Sequence, residues 1–559
     1  MTVTRTRPPV HVRTLPCLLV SGGLGLVCFL YRYLSYDGFT NDHYVNLSRA
    51  QQILLGDVPV RDFVDPGLPL MYYASAAFQL AFGRTALSDA VLVFGALTVA
   101  AGITCWMAVK LTGSYLVASV ATLFQILVLP RSYGYPKILL YALALLAVAS
   151  YARSPGLPRA ALLGGLTAVA FLTRHDHGVF IGVACSVAIV LVEFRRGFSK
   201  AGRALAVYAV ATIVLLIPYL VLIESTVGFV AYVLDGIAFS RAEAARSSLD
   251  HFPAFALHLD ATSAATNAQA WLFFLPWGLS AAALIRLFLA RDATAAAMVV
   301  TAVFLSMLTA ATFLRSPLSV RLADIWGALP ITLAYALHLP PQTPGRRWLR
   351  ASGGVAAALV LGFTAFSVGV VGRVRDTFPA TGVPRGPGAV LDRLDEVTRR
   401  LSTRAADERA RELEQPDEDR TVLTYLFACT RPSDRIFVFA FAPEIYYLTE
   451  RGFAGGHVSF VVGYHGSDRE QQLAIERWNR QSVPLALMVE DERREAERFF
   501  PRVARELARR YVAVHRIANW SGGAKPLLVM ADRARTPVST YGPLRLPCFA
   551  EKVSDRPRR

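Results

Sequence analysis

Several sequence signals are missing from this chain of 559 residues, and each absence excludes a class of protein. The six cysteines form no C-x-x-C pair, so a cysteine zinc site is not indicated. No G-x-G-x-x-G follows a strand pattern, so a nucleotide cofactor is not indicated either. The chain has neither zinc-finger spacing nor a basic helix with interleaved aromatic residues, and we therefore expect no nucleic-acid partner.

Charged residues are also scarce. They make up 18% of the chain, whereas 54% of the residues are hydrophobic. From position 15 to 372 the charges lie in short clusters between apolar runs, and from Arg373 onward the sequence is typical of a soluble domain. This asymmetry predicts a polytopic α-helical membrane protein with a small C-terminal α/β soluble domain. We expect a membrane domain at 1–372, a linker with an amphipathic helix at 373–415, and a soluble domain at 416–559.

The apolar runs predict about 11 membrane spans, because a spanning helix needs about 20 mainly apolar residues. The expected spans are 15–34, 87–109, 114–130, 137–152, 158–173, 178–194, 204–225, 269–290, 294–314, 321–339 and 349–372. With the N-terminus inside, the basic clusters near 153–159, 195–203, 286–291 and 346–350 all lie on the cytoplasmic side, as the positive-inside rule requires. The same bias accounts for the net charge of +17. The soluble domain is then extracytoplasmic.

The C-terminal region alternates apolar runs with helical patterns, which favours an α/β domain. The strand-like runs are 436–441, 484–489, 511–515 and 526–530, and the helical stretches include 443–450 and 491–509. Cys429 and Cys548 are the two cysteines outside the predicted spans. They are the pair that could form a disulfide in this domain, and the sequence does not decide whether they do.

The first outer loop, 35–86, is unusually rich in ionisable residues. It begins with Asp37-Gly-Phe-Thr-Asn-Asp-His-Tyr44 and continues to Asp65-Pro-Gly-Leu-Pro-Leu-Met-Tyr-Tyr73. We expect an amphipathic helix over 43–55 and an interfacial helix within 66–82. Asp42 has two interpretations, a functional carboxylate or the N-cap of the helix that follows. For Asp37, a turn role beside Gly38 is favoured.

Cations also occur at the outer face, against the positive-inside rule. They include Lys137, Arg174 and Arg315, and His175 follows Arg174 directly. One explanation is an anionic partner such as a lipid phosphate. The other is that their side chains extend to the outer headgroups. His175 and His177 form an H-x-H pattern, but two histidines without a third placeable ligand do not define a metal site.

The loop sequence resembles the C-type membrane glycosyltransferases, in particular the branch of protein O-mannosyltransferases and the aminoarabinose transferase. In that family an acidic residue just past the first span is closely followed by an aromatic, and a proline-containing segment then enters an aromatic-rich helix. Asp42, Tyr44, Pro66 and Tyr72 match these positions. The lysine that relatives of the aminoarabinose transferase carry beside the proline is absent, since Gly67 and Leu68 stand there.

The resemblance implies a glycosyltransferase that moves a sugar from a polyprenyl-phosphate carrier to an acceptor outside the cytoplasmic membrane, the inner membrane of a bacterium. It implies Asp42 as the general base, with Asp37 as the fallback, in a substrate loop that also contains His43, Tyr44, Asp65 and Tyr72. Lys137, Arg174, His175 and Arg315 are the candidates for binding the donor phosphate. The sugar stays open, as does the acceptor, whether a lipid, a glycan or a protein. Some family members use a divalent ion, and the resemblance leaves that requirement open.

Two other functional classes make different predictions for this sequence. A lipid or solute transporter, such as a flippase, predicts ionisable residues within the spans and an internal repeat. Charges in the middle of the spans are scarce here, and the hydrophobic pattern does not repeat between the halves. A non-catalytic membrane assembly protein, whose external domain does the work, predicts that Asp42→Asn has no effect.

Overall fold

A computed structural model describes the chain at 13–194, 196–247, 261–290, 293–312, 324–337, 347–367, 369–403, 417–520, 525–542 and 545–551. The chain forms two compact units. The first consists of Met1–Tyr36, Val91–Ile217 and Ser247–Leu394. The second consists of Asp37–Ala90, Pro218–Arg246 and Asp395–Arg559, so it combines the first predicted loop with the C-terminal region.

Helices dominate the chain as far as position 402. They are α1 (Thr14–Leu34), α2 (Asn41–Leu54), α3 (Pro69–Phe82), α4 (Ala86–Thr112), α5 (Tyr115–Leu127), α6 (Tyr135–Arg153), α7 (Leu157–Thr173), α8 (His175–Phe194), α9 (Phe198–Thr226), α10 (Phe229–Ser247), α11 (Ala261–Ala290), α12 (Ala293–Ala311), α13 (Leu329–Leu337), α14 (Arg347–Ser367), α15 (Val370–Ala380) and α16 (Pro387–Ser402). Each of the predicted spans overlaps one of these helices.

Five stretches in the described part of the chain are long and apolar enough to cross a membrane: α1, α4, α8, α9 and Ser132–Arg153, which contains α6. Parts of α14 and α15 form a sixth candidate that bends by 71°. Four shorter apolar helices lie at Tyr115–Leu127, Leu157–Thr173, Phe273–Leu289 and Ala295–Ala311. This is a helical membrane protein, as predicted. The predicted span 321–339 is helical only over α13, within the described residues.

Small residues allow close helix packing in the first unit. A Cβ atom at Gly178 in α8 would lie 2.2 Å from the Cα of Phe171 in α7, and one at Gly164 would lie 2.4 Å from the carbonyl oxygen of Tyr208 in α9. A side chain at either position would meet backbone, which cannot give way. Glycine therefore sets the spacing of these helices. A buried core that includes Tyr141, Leu145 and Leu305 lies next to this contact.

The C-terminal part of the second unit is built on a mixed sheet of five strands. The strands are β1 (Arg435–Phe439), β2 (Gly452–Phe453), β3 (Leu485–Val489), β4 (Tyr511–Ile517) and β5 (Leu527–Asp532). Their order is β2-β1-β3-β5-β4, with β1 parallel to β2 and β3, and β5 antiparallel to β3 and β4. β3 is buried along its whole length, which explains why it appears in the sequence as a continuous apolar run. The prediction of four strands in an α/β domain is confirmed.

Short helices pack around this sheet. They are α17 (Asp417–Cys429), α18 (Glu444–Thr449), α19 (Asp468–Asn479), α20 (Arg493–Phe499) and α21 (Pro501–Arg510). Ser467 and Glu470 form a capping box that begins α19. The predicted helix over 491–509 divides at Phe500, because Pro501 cannot continue the helical hydrogen bonding and instead begins α21.

A disulfide joins Cys429, at the end of α17, to Cys548 in the strand β7 (Leu546–Cys548). β7 pairs with β6 (Ser539–Tyr541) in a separate two-stranded sheet. The covalent link therefore ties the end of the chain to the helix that begins the domain. It answers the question that the sequence left open.

Candidate functional site

Asp42 lies in the first turn of α2, and its side chain is exposed. The N-cap of the helix is Thr40, and its side chain makes no capping hydrogen bond. The N-cap interpretation of Asp42 is therefore wrong by two positions. Asp37 is also exposed, and it precedes Gly38, whose φ of 146° favours glycine. Asp42 therefore presents an exposed carboxylate at the N-terminal end of a regular helix, α2.

The two residues after Asp42 are buried and hold the helix in place. The Nε2 atom of His43 contacts the carboxylate of Asp89, and the His43 ring stacks on Phe39 at 3.9 Å between centroids. The second oxygen of Asp89 accepts a hydrogen bond from the Ser75 hydroxyl at 2.5 Å. The Tyr44 ring packs against the Tyr447 ring of the C-terminal region, with 5.8 Å between centroids. These contacts fix the orientation of α2, and with it the position of Asp42.

The C-terminal region binds α2 through hydrogen bonds to backbone carbonyl groups. The Ser48 hydroxyl donates to the carbonyl of Pro443 at 2.8 Å, and the Gln51 amide donates to that of Arg451 at 3.0 Å. The Gln52 amide donates to the carbonyl of Phe453 in β2 at 2.8 Å. Since all three side chains are buried, each bond satisfies a group that would otherwise be costly to bury. The helix that carries Asp42 is therefore part of one folded unit with the sheet.

An ion pair strengthens this attachment. Arg435 of β1 donates to Asp57 at 3.0 Å, and it also contacts the side-chain oxygen of Gln52. Burial raises the pKa of Asp57 above its ordinary value, although the charge of Arg435 opposes that change. The loop after α2 is fixed as well, since the Val64 amide donates to the Gly456 carbonyl at 2.9 Å.

Asp65 is buried, and both of its carboxylate oxygens are used locally. One oxygen accepts hydrogen bonds from the amides of Gly67 and Leu68, at 2.9 and 2.8 Å. The other accepts from the Tyr219 hydroxyl at 2.8 Å. Asp65 therefore shapes the turn that leads into α3, as Asp does when it bonds to amides two and three residues ahead. The structure gives this residue a positioning role.

Tyr72 is fully buried in α3 and contacts a cation that the sequence analysis did not single out. The Arg49 guanidinium donates from Nη1 to the Tyr72 hydroxyl at 2.9 Å, and it lies 5.3 Å from the centre of the Tyr72 ring. Arg49 is itself only 9% exposed. The sequence does contain a signal for Arg49. It follows Asp42 by seven residues and so lies on the same face of the predicted helix.

The first unit contains a separate cluster of cations. Lys137 in α6 is 7% exposed, and its Nζ lies 2.6 Å from the carboxylate of Asp324. Arg131 reaches the same carboxylate at 2.7 Å. Asp324 went unnoticed in the sequence because it lies nearly 200 positions from its partners, and no local pattern reports such a contact.

Arg174 extends this cluster. It forms an ion pair with Asp176 at 2.9 Å, and it lies close enough to Lys137 for their charges to interact. The structure thus brings together two of the predicted phosphate-binding residues, Lys137 and Arg174. Among the described residues, three cations share the carboxylates of Asp324 and Asp176 here.

The two histidines that follow Arg174 have different surroundings. The His175 ring stacks on Phe171 at 4.2 Å between centroids. His177 is buried, and its Nδ1 lies 2.5 Å from the hydroxyl of Tyr141. Its Nε2 is buried without a hydrogen-bond partner. His177 therefore presents a buried ring nitrogen without a hydrogen-bond partner next to the cations.

Two further predictions concern Arg315 and a metal ion. Arg315 lies outside the described residues. Within the described ranges, no three His, Cys, Asp or Glu side chains are grouped so that they could hold a metal ion. The H-x-H pattern around Asp176 does not supply such a set among these residues.

No protein-family model matches this chain, and no curated protein does. Solved structures show similarity. ArnT from Cupriavidus metallidurans bound to undecaprenyl phosphate has a TM-score of 0.49 and 14% identity, over 92% of this chain and 98% of that one. The archaeal oligosaccharyltransferase AglB from Archaeoglobus fulgidus was solved in complex with an inhibitory peptide and a dolichol-phosphate. It has a TM-score of 0.42 and 10% identity, over 89% of this chain and 72% of that one. Both are C-type glycosyltransferases, the class that the sequence resembles. Because both TM-scores are below 0.5, we base the functional proposal on this chain's own residues.

Proposed function

We propose that this protein is a glycosyltransferase that moves a sugar from a polyprenyl-phosphate carrier to an acceptor on the outer side of the cytoplasmic membrane. The observation that carries the proposal is the cation cluster of the first unit. Among the described residues, Arg131, Lys137 and Arg174 form ion pairs with the carboxylates of Asp324 and Asp176, within a helical unit whose helices have the length and composition to lie in a membrane. A lipid-borne phosphate has the charge and the location to bind at such a cluster of cations.

His177 adds a hydrogen-bonding group to this cluster. Its Nε2 is buried without a partner, and it lies within electrostatic reach of Lys137 and Arg174. A phosphate bound there supplies the acceptor oxygen that this nitrogen lacks in contacts with the protein. A buried polar group without a partner costs about 1–3 kcal/mol, so such an atom suggests a ligand.

The proposed reaction gives one role to the cation cluster and another to Asp42. The acceptor hydroxyl attacks the anomeric carbon of the sugar while the bond from that carbon to the phosphate oxygen breaks. The electron pair goes to the leaving phosphate, where Lys137 and Arg174 stabilise the added charge. The proton of the acceptor hydroxyl goes to the carboxylate of Asp42. The attack takes place opposite the leaving group, so the anomeric configuration inverts.

The proposed location rests on the disulfide and on the charge distribution. Disulfides form in oxidising compartments, so the bond between Cys429 and Cys548 supports an extracytoplasmic C-terminal region. The positive-inside pattern of the basic loops supports the same orientation, with the N-terminus inside. Asp42 belongs to the same unit as the disulfide, and we therefore place the chemistry outside the cytoplasm.

The class of reaction is tested with labelled donors. Membranes that contain the protein are incubated with a panel of polyprenyl-phosphate sugars, each carrying a radioactive sugar, and are compared with membranes that lack it. The proposal predicts protein-dependent transfer of label from at least one donor to a new product. Uptake of intact donor across the membrane, with no new product from any donor, contradicts it and favours a transporter.

A further inference from the structure

Arg32 is a cation in the last turn of α1, on the face of that helix that packs inside the first unit. Ser21, Gly25 and Cys28, which lie three, two and one turns before it on this face, are buried. The Nε of Arg32 is buried without a hydrogen-bond partner. Among the described residues, the ionisable groups within electrostatic reach of Arg32 are Cys28, Tyr31 and Arg373, and none of them is a carboxylate.

A second arginine, Arg373 in α15, lies next to Arg32. The hydroxyl of Tyr31 hydrogen bonds with the hydroxyl of Thr377 at 2.7 Å, which joins the end of α1 to α15. Thr377 follows Arg373 by one turn, so both lie on the face of α15 that meets α1. Arg373 donates from Nη1 to the carbonyl of Val128 at 3.0 Å, and its charge is close enough to repel that of Arg32. Two cations therefore converge where α1 meets α15.

Other cations of the first unit have carboxylate partners. Lys137 and Arg131 reach the carboxylate of Asp324 at 2.6 and 2.7 Å. A charge that is removed from water without such a partner is strongly unfavourable, and a like charge beside it adds to the cost. Because Arg32 has no carboxylate partner among the described residues, the contact between α1 and α15 favours a bound anion.

The surface next to these arginines is apolar and exposed. Leu26 and Leu30 of α1 are 56% and 42% exposed, and Val371 and Phe378 of α15 are 69% and 42% exposed. Val371 and Phe378 are seven residues apart, so they share a face of α15, and this face is roughly opposite the one with Arg373. The path of the chain bends by 71° between α14 and α15. A short amphipathic helix after such a bend is typical of the headgroup region of a bilayer.

We propose that Arg32 and Arg373 bind the phosphate of an anionic phospholipid from the surrounding bilayer, whose acyl chains lie against Leu26 and Leu30. Guanidinium groups form charge-assisted hydrogen bonds with phosphate oxygens, and the exposed leucines favour a lipid over a soluble phosphate. The bound headgroup neutralises the two arginines and holds α15 against α1. The site takes a lipid of the bilayer and not a substrate, so it does not depend on the proposed function.

The test uses full-length protein purified in an uncharged detergent. The protein is titrated with phosphatidylglycerol, with phosphatidylcholine of the same acyl chains, with glycerophosphoglycerol, which is the anionic headgroup without chains, and with undecaprenyl phosphate. The variants are Arg32→Met, Arg32→Lys and Arg373→Met. Arg375→Met is the matched control, because Arg375 lies in the same helix, is 82% exposed and pairs with Asp376 at 3.4 Å. The melting temperature without lipid is measured for each protein.

We expect wild type and Arg375→Met to bind phosphatidylglycerol more tightly than phosphatidylcholine, and glycerophosphoglycerol only weakly. Arg32→Met should bind phosphatidylglycerol roughly 10- to 100-fold more weakly than Arg375→Met does, as expected for loss of a charge-assisted hydrogen bond. Arg373→Met should also bind it more weakly, and Arg32→Lys should lose less affinity than Arg32→Met. Without lipid, Arg32→Met should melt no lower than wild type, because it removes an uncompensated charge.

The inference is overturned if Arg32→Met binds phosphatidylglycerol as tightly as Arg375→Met, or if wild type binds both phospholipids equally well. Binding of glycerophosphoglycerol as tight as that of phosphatidylglycerol overturns the lipid assignment, because the site then takes a soluble phosphate. Weaker binding of undecaprenyl phosphate by Arg32→Met overturns it in favour of the carrier. The proposed function is unaffected by the first three results, since the transfer of labelled sugar tests it separately.

Discussion

Buried charge is neutralised to different degrees in this protein, and the residues with incomplete neutralisation are the informative ones. Asp65 uses both of its oxygens to shape a turn, and Arg451 is surrounded by carbonyl groups. Arg49 and His177, in contrast, each keep a buried nitrogen without a partner. Proteins retain such atoms where a ligand or a reaction requires them. At the scale of single residues, this difference makes Arg49 and His177 candidates for a functional role.

Glu444 in α18 provides a test of buried charge outside the proposed site. Its Oε2 is buried without a hydrogen-bond partner. Burial raises its pKa from the ordinary value of 4.5 to about 7, and the charge of Asp419 acts in the same direction. Relative to the unfolded chain, the folded protein therefore loses stability as the pH rises from about 4.5 to 7.

We predict that Glu444→Gln raises the free energy of unfolding above pH 7 by about 1–3 kcal/mol and has little effect at pH 4. Thermal melting of wild type and variant across this pH range measures the difference. Glu418→Gln, at an exposed position in α17, is the control. An equal effect of Glu444→Gln at both ends of the range would show that the charge is not responsible.

At the scale of elements, sequence periodicity predicted the helices and strands well, but not all of their ends. α2 was expected over 43–55 and lies at Asn41–Leu54. The prediction of one helix over 491–509 missed the break before Pro501, although proline is a local signal for it. The partners of His43 and Lys137, Asp89 and Asp324, lie far away in the sequence. Periodicity carries no information about such contacts.

The packing of α7 against α8 depends on Gly178, where a Cβ atom would meet the Phe171 backbone at 2.2 Å. We predict that Gly178→Ala separates these helices and lowers the free energy of unfolding by about 1–3 kcal/mol. Gly202→Ala in α9 is the control, because no atom lies within 4 Å of its added Cβ. Alanine favours a helix more than glycine does, so this control should melt at or above wild type. Similar melting temperatures for the two variants would contradict the close packing.

At the scale of the whole molecule, the second unit combines three stretches that are distant in sequence. The loop with Asp42 folds with the C-terminal strands, through contacts such as Gln52 to Phe453. Composition shifts along the chain correctly indicated a membrane part and an α/β region. They could not indicate that the first loop folds together with the α/β region, because that association depends on individual side-chain contacts.

The disulfide is the covalent feature of this unit, and it spans 119 residues. We predict that a maleimide labels four cysteines in the denatured protein without reductant, namely Cys17, Cys28, Cys105 and Cys185, and six after reduction. Replacing Cys429 and Cys548 together with serine should lower the free energy of unfolding by about 2–4 kcal/mol. Cys185→Ala, a change of a free buried thiol, is the control. Labelling of six cysteines without reductant would contradict the disulfide and weaken the extracytoplasmic placement.

The central claim is that Asp42 accepts the proton of the acceptor hydroxyl during glycosyl transfer. The most direct measurement is the initial rate of labelled-sugar transfer by purified wild type, Asp42→Asn and Asp37→Asn, at equal amounts of folded protein and saturating donor. Asp37→Asn removes the same charge from an exposed position five residues earlier. We predict a loss of about 100-fold or more for Asp42→Asn, because general bases contribute about 10²–10⁴-fold, and a small change for Asp37→Asn. A rate for Asp42→Asn within a few-fold of wild type would contradict the claim.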